Sequence, residues 1–205
     1  MSCSARFPRR RLHARVRPPV TLLAVAYCIA SRLAYVLFTG IALRRQERHA
    51  AYTRAWGVEG GFQRFRRTVS VLMVNDVLAF ALLCVVTHDT LEVGVPRLAV
   101  ILIGVALVAV GISVKVWAAN TLGSDAYYWR NFFAPPQLHR VVLAGPYRFL
   151  ENPMYTVGYL QAYGFALITG SVTGLFAAAF IHFAILAFYF AVEKPHFQRL
   201  NSSRT

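Results

Sequence analysis

Apolar residues in this chain come in blocks as long as a bilayer is thick. The blocks fall at about residues 20–43, 68–87, 97–122, 153–169 and 174–193. A hydrocarbon core about 30 Å thick takes roughly 20 helical residues to cross. The expected fold is therefore an all-α integral membrane protein with about five transmembrane helices. With 57% hydrophobic residues and a mean hydropathy of +0.49, the 205 residues are too apolar for an ordinary soluble domain. A single membrane domain, 1–205, is expected: a basic arm at 1–18, N-terminal helices at 20–96 and a C-terminal region at 97–200.

The net charge of +14 is carried almost wholly by arginine. These arginines cluster beside apolar runs, which points to anionic lipid headgroups rather than nucleic acid as partner. If every run spans, residues 44–67 (seven arginines), 123–151 and the C-terminal tail share one side. The positive-inside rule makes that side cytoplasmic, so the protein is expected to be multi-pass with its polar loop and C-terminus in the cytoplasm. The six arginines of the N-terminal arm then lie outside, a conflict that a first helix not fully crossing would remove. MSCSARFPRRRLHARVRPPV resembles the charged part of a signal peptide, but the apolar run after it is too long for a typical one, and the segment is read as part of the mature protein. Residues 44–67, with Trp56, Phe62 and Phe65, read as an interfacial segment. Cys3, Cys28 and Cys84 form no metal-type spacing and read as small apolar residues.

Several polar residues lie inside the runs. Arg32 is costly there unless paired or facing water. Asp76 in the second run is one partner for it; snorkelling and a site facing the bundle interior are the alternatives. Asn75 beside Asp76 is expected to satisfy a neighbouring helix. Lys115 and Asn120 sit near the end of the third run, where a lysine can snorkel.

The chemistry-bearing pattern begins at 145 with GPYRFLENPMYT. Gly170 and Gly174 bracket a turn between the last two runs, which are expected to form a helical hairpin centred near residue 172. Folding about that point brings Glu193, the last acidic residue, back to Asn152. Asn152 suits an N-cap and Pro153 the first helical position, so a helix start with unpaired N–H groups is expected opposite a carboxylate. With Gly145, Tyr147 and Arg148 upstream, one pocket at the cytosolic side would offer anion donors, an aromatic wall and an anion. A zwitterion carrying a flat ring matches those features. After the third run, Tyr127, Tyr128, Trp129, Arg130 and Phe132 form an aromatic and basic cluster, read either as a lipid-binding site or as an anchoring belt.

GPYRFLENPMYTVGYLQAYG and the later FYFAVEKPHF resemble the isoprenylcysteine carboxyl methyltransferase and phospholipid methyltransferase superfamily of membrane enzymes. Asn152-Pro153-Met154-Tyr155 is similar to the phosphatidylethanolamine N-methyltransferase form, whereas isoprenylcysteine enzymes more often have His-Pro there. The resemblance covers roughly residues 100–200. Lys194 stands where the family has a second glutamate. The resemblance implies S-adenosylmethionine as cofactor, with Gly145, Tyr147, Arg148, Asn152, Pro153, Tyr155 and Glu193 as its site. It implies methyl transfer to a membrane lipid, an amine headgroup such as phosphatidylethanolamine, with Tyr127, Tyr128 and Arg130 holding the substrate. His139 is the loop residue to consider as a base. A carboxyl or thiol acceptor on a lipophilic molecule, a membrane reductase using NADPH, and a non-enzymatic scaffold are the alternatives.

Overall fold

The computed structural model describes residues 18–133 and 144–202. The basic arm and His139 lie outside the described residues. Every regular element among those described is helical. The principal ones are α1 (Pro18–His49), α2 (Ala51–Val86), α3 (Arg97–Leu122), the single-turn α4 (Ser124–Tyr127), α5 (Leu160–Thr169), α6 (Val172–Phe188) and α7 (Lys194–Ser202).

Four helices are long and apolar enough to cross a membrane: Pro18–His49, Ala51–Val86, Arg97–Leu122 and the continuous Val172–Leu200. Leu23, Val71, Leu98 and Phe176 are among the large apolar side chains left exposed on these four helices. Such faces suit lipid, and the chain is a multi-pass membrane protein.

The expected fifth span at 153–169 is much shorter than a bilayer. Residues 153–156 form a turn, Val157–Tyr159 a 3-10 segment, and α5 has only 10 residues. The reason lies in the local hydrogen bonds. The Asn152 side chain accepts from Tyr155 N at 3.1 Å, and Gly158 N donates to Pro153 O at 2.9 Å. The N–H groups expected to form an open helix start are thus used within a turn, and Pro153 is fully buried beneath it. Asn152 caps, as its residue type predicts, but it caps a turn rather than a span.

The closest partner of α5 is α3. A Cβ on Gly111 would lie 2.6 Å from Gln161 N, and one on Gly104 would lie 2.8 Å from Gly164 O. Small residues let the two backbones approach as they do between membrane helices generally. The chain then reverses at Gly170, which adopts φ 66°, and the Ser171 hydroxyl caps α6 by accepting from Gly174 N at 2.7 Å. The turn is shorter than expected, because Gly174 is already helical and packs against Cys84.

Within 44–67 the chain reverses between α1 and α2 at Ala50, which adopts φ 47°, and α2 is kinked at Gly57, which adopts φ 70°. Gln46, buried near the end of α1, accepts from Tyr52 N at 2.9 Å and Thr53 N at 3.2 Å. One side chain on α1 thereby caps the start of α2. Farther down, Arg32 pairs with Asp76 at 2.5 Å. Asn75 bonds Ser31 Oγ at 2.6 Å and accepts from Tyr27 at 2.7 Å. These contacts fasten α1 to α2 within the membrane-length region.

Candidate functional site

Glu193 closes a five-residue π-helical segment, Tyr189–Glu193, between α6 and α7. A π turn adds a residue to the helical repeat and commonly marks a functional position. Here Val192 and Glu193 are both buried. The Glu193 carboxylate accepts from the Tyr155 hydroxyl at 2.7 Å and from the Trp129 indole N–H. It has no cationic partner among the described residues. Lys194, next in the chain, reaches instead to Glu151 at 3.6 Å and lies over the Phe190 ring.

The residues around this carboxylate are locked in place. Trp129 adopts the left-handed region at φ 58°, an uncommon conformation for a bulky residue. Its ring packs edge-on against Phe65 and Phe188, at 6.3 and 5.6 Å between centroids. Burial, and then the charge of Glu193, push the Tyr155 phenol well above its ordinary range, so it remains a donor. Burial with the same charge nearby also raises Tyr147. Gly145 has φ 57°, and a Cβ there would collide with Thr121. Only glycine brings the Gly145–Arg148 turn this close to the end of α3.

Tyr155 and Glu193 therefore meet, 38 positions apart, as the folding-back of the last helices requires. Tyr155, which follows Asn152 in the same turn, and Trp129 both lie against the Glu193 carboxylate. Arg148 is exposed and lies over Phe149, with 5.9 Å from its guanidinium to the ring centroid. A cavity of about 360 Å³ is lined by Ala119, Asn120, Gly123, Ser124, Tyr127 and Tyr128, next in the chain to Trp129. Two of the three expected lipid-binding residues line it. The third, Arg130, is drawn away by Glu59 at 2.7 Å and packs over Phe62.

Sequence reasoning missed a second layer of polar residues. Tyr155, Tyr159 and Tyr163 recur every four positions, a periodicity readable in the sequence although the three lie in a turn, a 3-10 segment and α5. His182 binds to two of them, with Nε2 at 2.8 Å from Tyr155 O and Nδ1 at 3.2 Å from the Tyr163 hydroxyl, and stacks on Tyr159 at 5.0 Å. Tyr159 also accepts from Arg32 at 3.2 Å. The chain of contacts links the rim site to the Arg32–Asp76 pair, where Arg32 Nε and Asp76 Oδ1 are buried without partners.

The family model described as phospholipid methyltransferase matches residues 99–204, just over half the chain, and includes the Glu193 site and the cavity. The chain belongs to the phospholipid methyltransferase family. Relatives named phosphatidylethanolamine N-methyltransferase occur in Debaryomyces hansenii, 34% identical over 148 residues, and Lodderomyces elongisporus, 33% over 143. One of the same name in Malassezia globosa is 33% identical over 142 residues. These alignments cover 66–68% of this chain but only 14–17% of the relatives, so the chain spans about a sixth of their length. No solved structure matches.

Proposed function

We propose that this chain transfers a methyl group from S-adenosylmethionine to the amine of a membrane phospholipid, phosphatidylethanolamine being the acceptor that the relatives' names favour. One observation carries the reading: Glu193 is a buried carboxylate held by two neutral donors, with no cation beside it. An unpaired buried charge is unfavourable. A ligand bringing a positive group would relieve it, and the α-ammonium of the cofactor is such a group. The donor set fits: a fixed carboxylate for the ammonium, Tyr147 and Tyr155 as aromatic walls, and Arg148 for the carboxylate.

The cofactor supplies a methyl group already activated on a sulfonium. The chain's residues align the acceptor and exclude water. Tyr155 and Trp129 keep Glu193 pointed inward. Gly145 keeps the Gly145–Arg148 turn against α3. Pro153 and the Asn152 cap hold the turn from which Tyr155 projects. Tyr127 and Tyr128 offer ring faces to an ammonium that gains methyl groups, and such faces attract alkylated ammonium ions.

The arginines of residues 44–67 lie at the same end of the bundle as this site, since Arg44 reaches Ala191 O at 3.1 Å and Arg66 reaches Asp125 at 3.3 Å. Positive charge concentrated there supports a cytoplasmic site in contact with anionic headgroups. The test is to incubate the purified full chain with labelled S-adenosylmethionine and a total lipid extract. Label on methylated phosphatidylethanolamine is expected; label on protein or on a carboxyl ester, or on nothing, overturns the proposal. Calorimetry with S-adenosylhomocysteine and with NADPH tests the cofactor directly: only the former should bind.

A further inference from the structure

We infer that Lys115 holds the phosphate of the lipid substrate, on the membrane side of the aromatic cavity. The inference deepens the proposed function and rests on it.

Lys115 is a half-buried cation within a membrane-length helix, and among the described residues it makes no ion pair or hydrogen bond. Such a group is unfavourable in a bilayer and marks a functional position unless it escapes to the interface. It does not extend to the rim. Its ammonium lies 4.5 Å from the ring centroid of Tyr159, a buried residue on the opposing segment. Its stem runs against Gly158, where a Cβ would come within 2.7 Å of Lys115 Cγ. The fold thus makes room for this side chain and directs it inward.

The other cations nearby are engaged. Arg130 is tied to Glu59 at 2.7 Å and Arg66 to Asp125 at 3.3 Å. Arg32 is paired with Asp76 at 2.5 Å, and the Asp76 carboxylate also acts on Lys115 across the same cluster without forming an ion pair with it. Arg32 Nε, buried and 3% exposed as a residue, has no partner and sits in the same cluster through Tyr159. Asp76 Oδ1 is the unpartnered acceptor there.

The position matches a phospholipid. Lys115 and the cavity-lining Ala119 are one helical turn apart on one face of α3, and Gly123, just past the end of the helix, also lines the cavity. One to two turns is about 5–11 Å. An ethanolamine headgroup separates its nitrogen from its phosphorus by two carbons and an oxygen, and the phosphate lies toward the acyl chains. An amine in the cavity places the phosphate toward Lys115. The neighbouring Ile112 and Val116 are exposed to lipid, leaving lateral access for the acyl chains.

The test compares the full chain with Lys115→Met and Lys115→Arg in detergent micelles. One arm measures KM for short-chain phosphatidylethanolamine. A second measures equilibrium binding of labelled short-chain phosphatidylmethanol, which has the phosphate but no amine and needs no turnover. Removing an ammonium from an apolar helix favours insertion, so Lys115→Met should fold. Lys115→Met is expected to raise KM and weaken phosphatidylmethanol binding by about tenfold or more, a loss of the size expected for a charge-assisted hydrogen bond. Its kcat and S-adenosylhomocysteine affinity should stay unchanged, and Lys115→Arg should restore both lipid readouts. A wild-type KM and wild-type phosphatidylmethanol affinity in Lys115→Met overturn the inference. If the wild type binds phosphatidylmethanol through Lys115 yet methylates no phosphatidylethanolamine, the acceptor reading fails and the phosphate site stands. If it binds neither lipid, both fail.

Discussion

Asp76 and Glu193 both lie in helices of membrane length and are 5% and 6% exposed, yet their surroundings are opposite. Asp76 faces a guanidinium at 2.5 Å on the adjoining helix. Glu193 faces a phenol and an indole. The first arrangement neutralises a charge within the fold. The second holds a charge that the fold leaves uncompensated. Both carboxylates are buried, so burial alone does not distinguish a structural residue from a binding one. The sign of the neighbouring groups does.

The comparison breaks most readily at the ion pair. Asp76→Leu alone leaves Arg32 buried and unpaired and is expected to cost about 3–5 kcal/mol of stability. Thermal unfolding in detergent reads this loss, and Arg32→Met with Asp76→Leu should recover most of it. An Asp76→Leu variant as stable as the wild type would show that the pair does not hold α1 to α2.

Glu193→Gln should act in the other direction. Folding is retained or improved, because an uncompensated charge is removed, while S-adenosylhomocysteine affinity falls by about 2–5 kcal/mol in calorimetry. Unchanged affinity would end the contrast between the two carboxylates. Tyr155→Phe removes one donor to Glu193 and leaves its ring. A loss of about 1.5–3 kcal/mol in the same titration is expected, with the KM for lipid little affected. Tyr128→Ala opens the cavity wall and should raise the lipid KM by about 0.5–2 kcal/mol with cofactor affinity unchanged. The smallest effect belongs to Arg130→Ala. Its ion pair with Glu59 is partly exposed, so the unfolding midpoint should not move and the lipid KM should change by less than about twofold.

Much of this was legible in the residues. Run length gave helices of membrane length, and the family motif led to Glu193 and Tyr155, which are in contact. Asp76 stood as one partner for Arg32 because intramembrane charges are too costly to leave alone. The span at 153–169 was misread because hydropathy records that residues are apolar and not how their backbone is arranged. The Asn152 cap and the Pro153–Gly158 bond hold a turn where the apolar run continues. The Arg130 ion pair was not legible for a different reason: its partner, Glu59, lies on another helix and nothing local announces it.

By itself the sequence determined that this chain crosses a membrane in helices, which ends are basic, and which carboxylate returns to the Asn-Pro turn. Length, hydropathy and local spacing carry that information, because each acts within a segment or between neighbouring ones. The tertiary structure alone decided that α5 packs intimately on α3, that Gln46 caps a helix it does not belong to, and that Glu193 has no cation while Asp76 has one. Those outcomes depend on which side chains arrive from distant segments, and the energy of a buried charge is fixed by its neighbours in space.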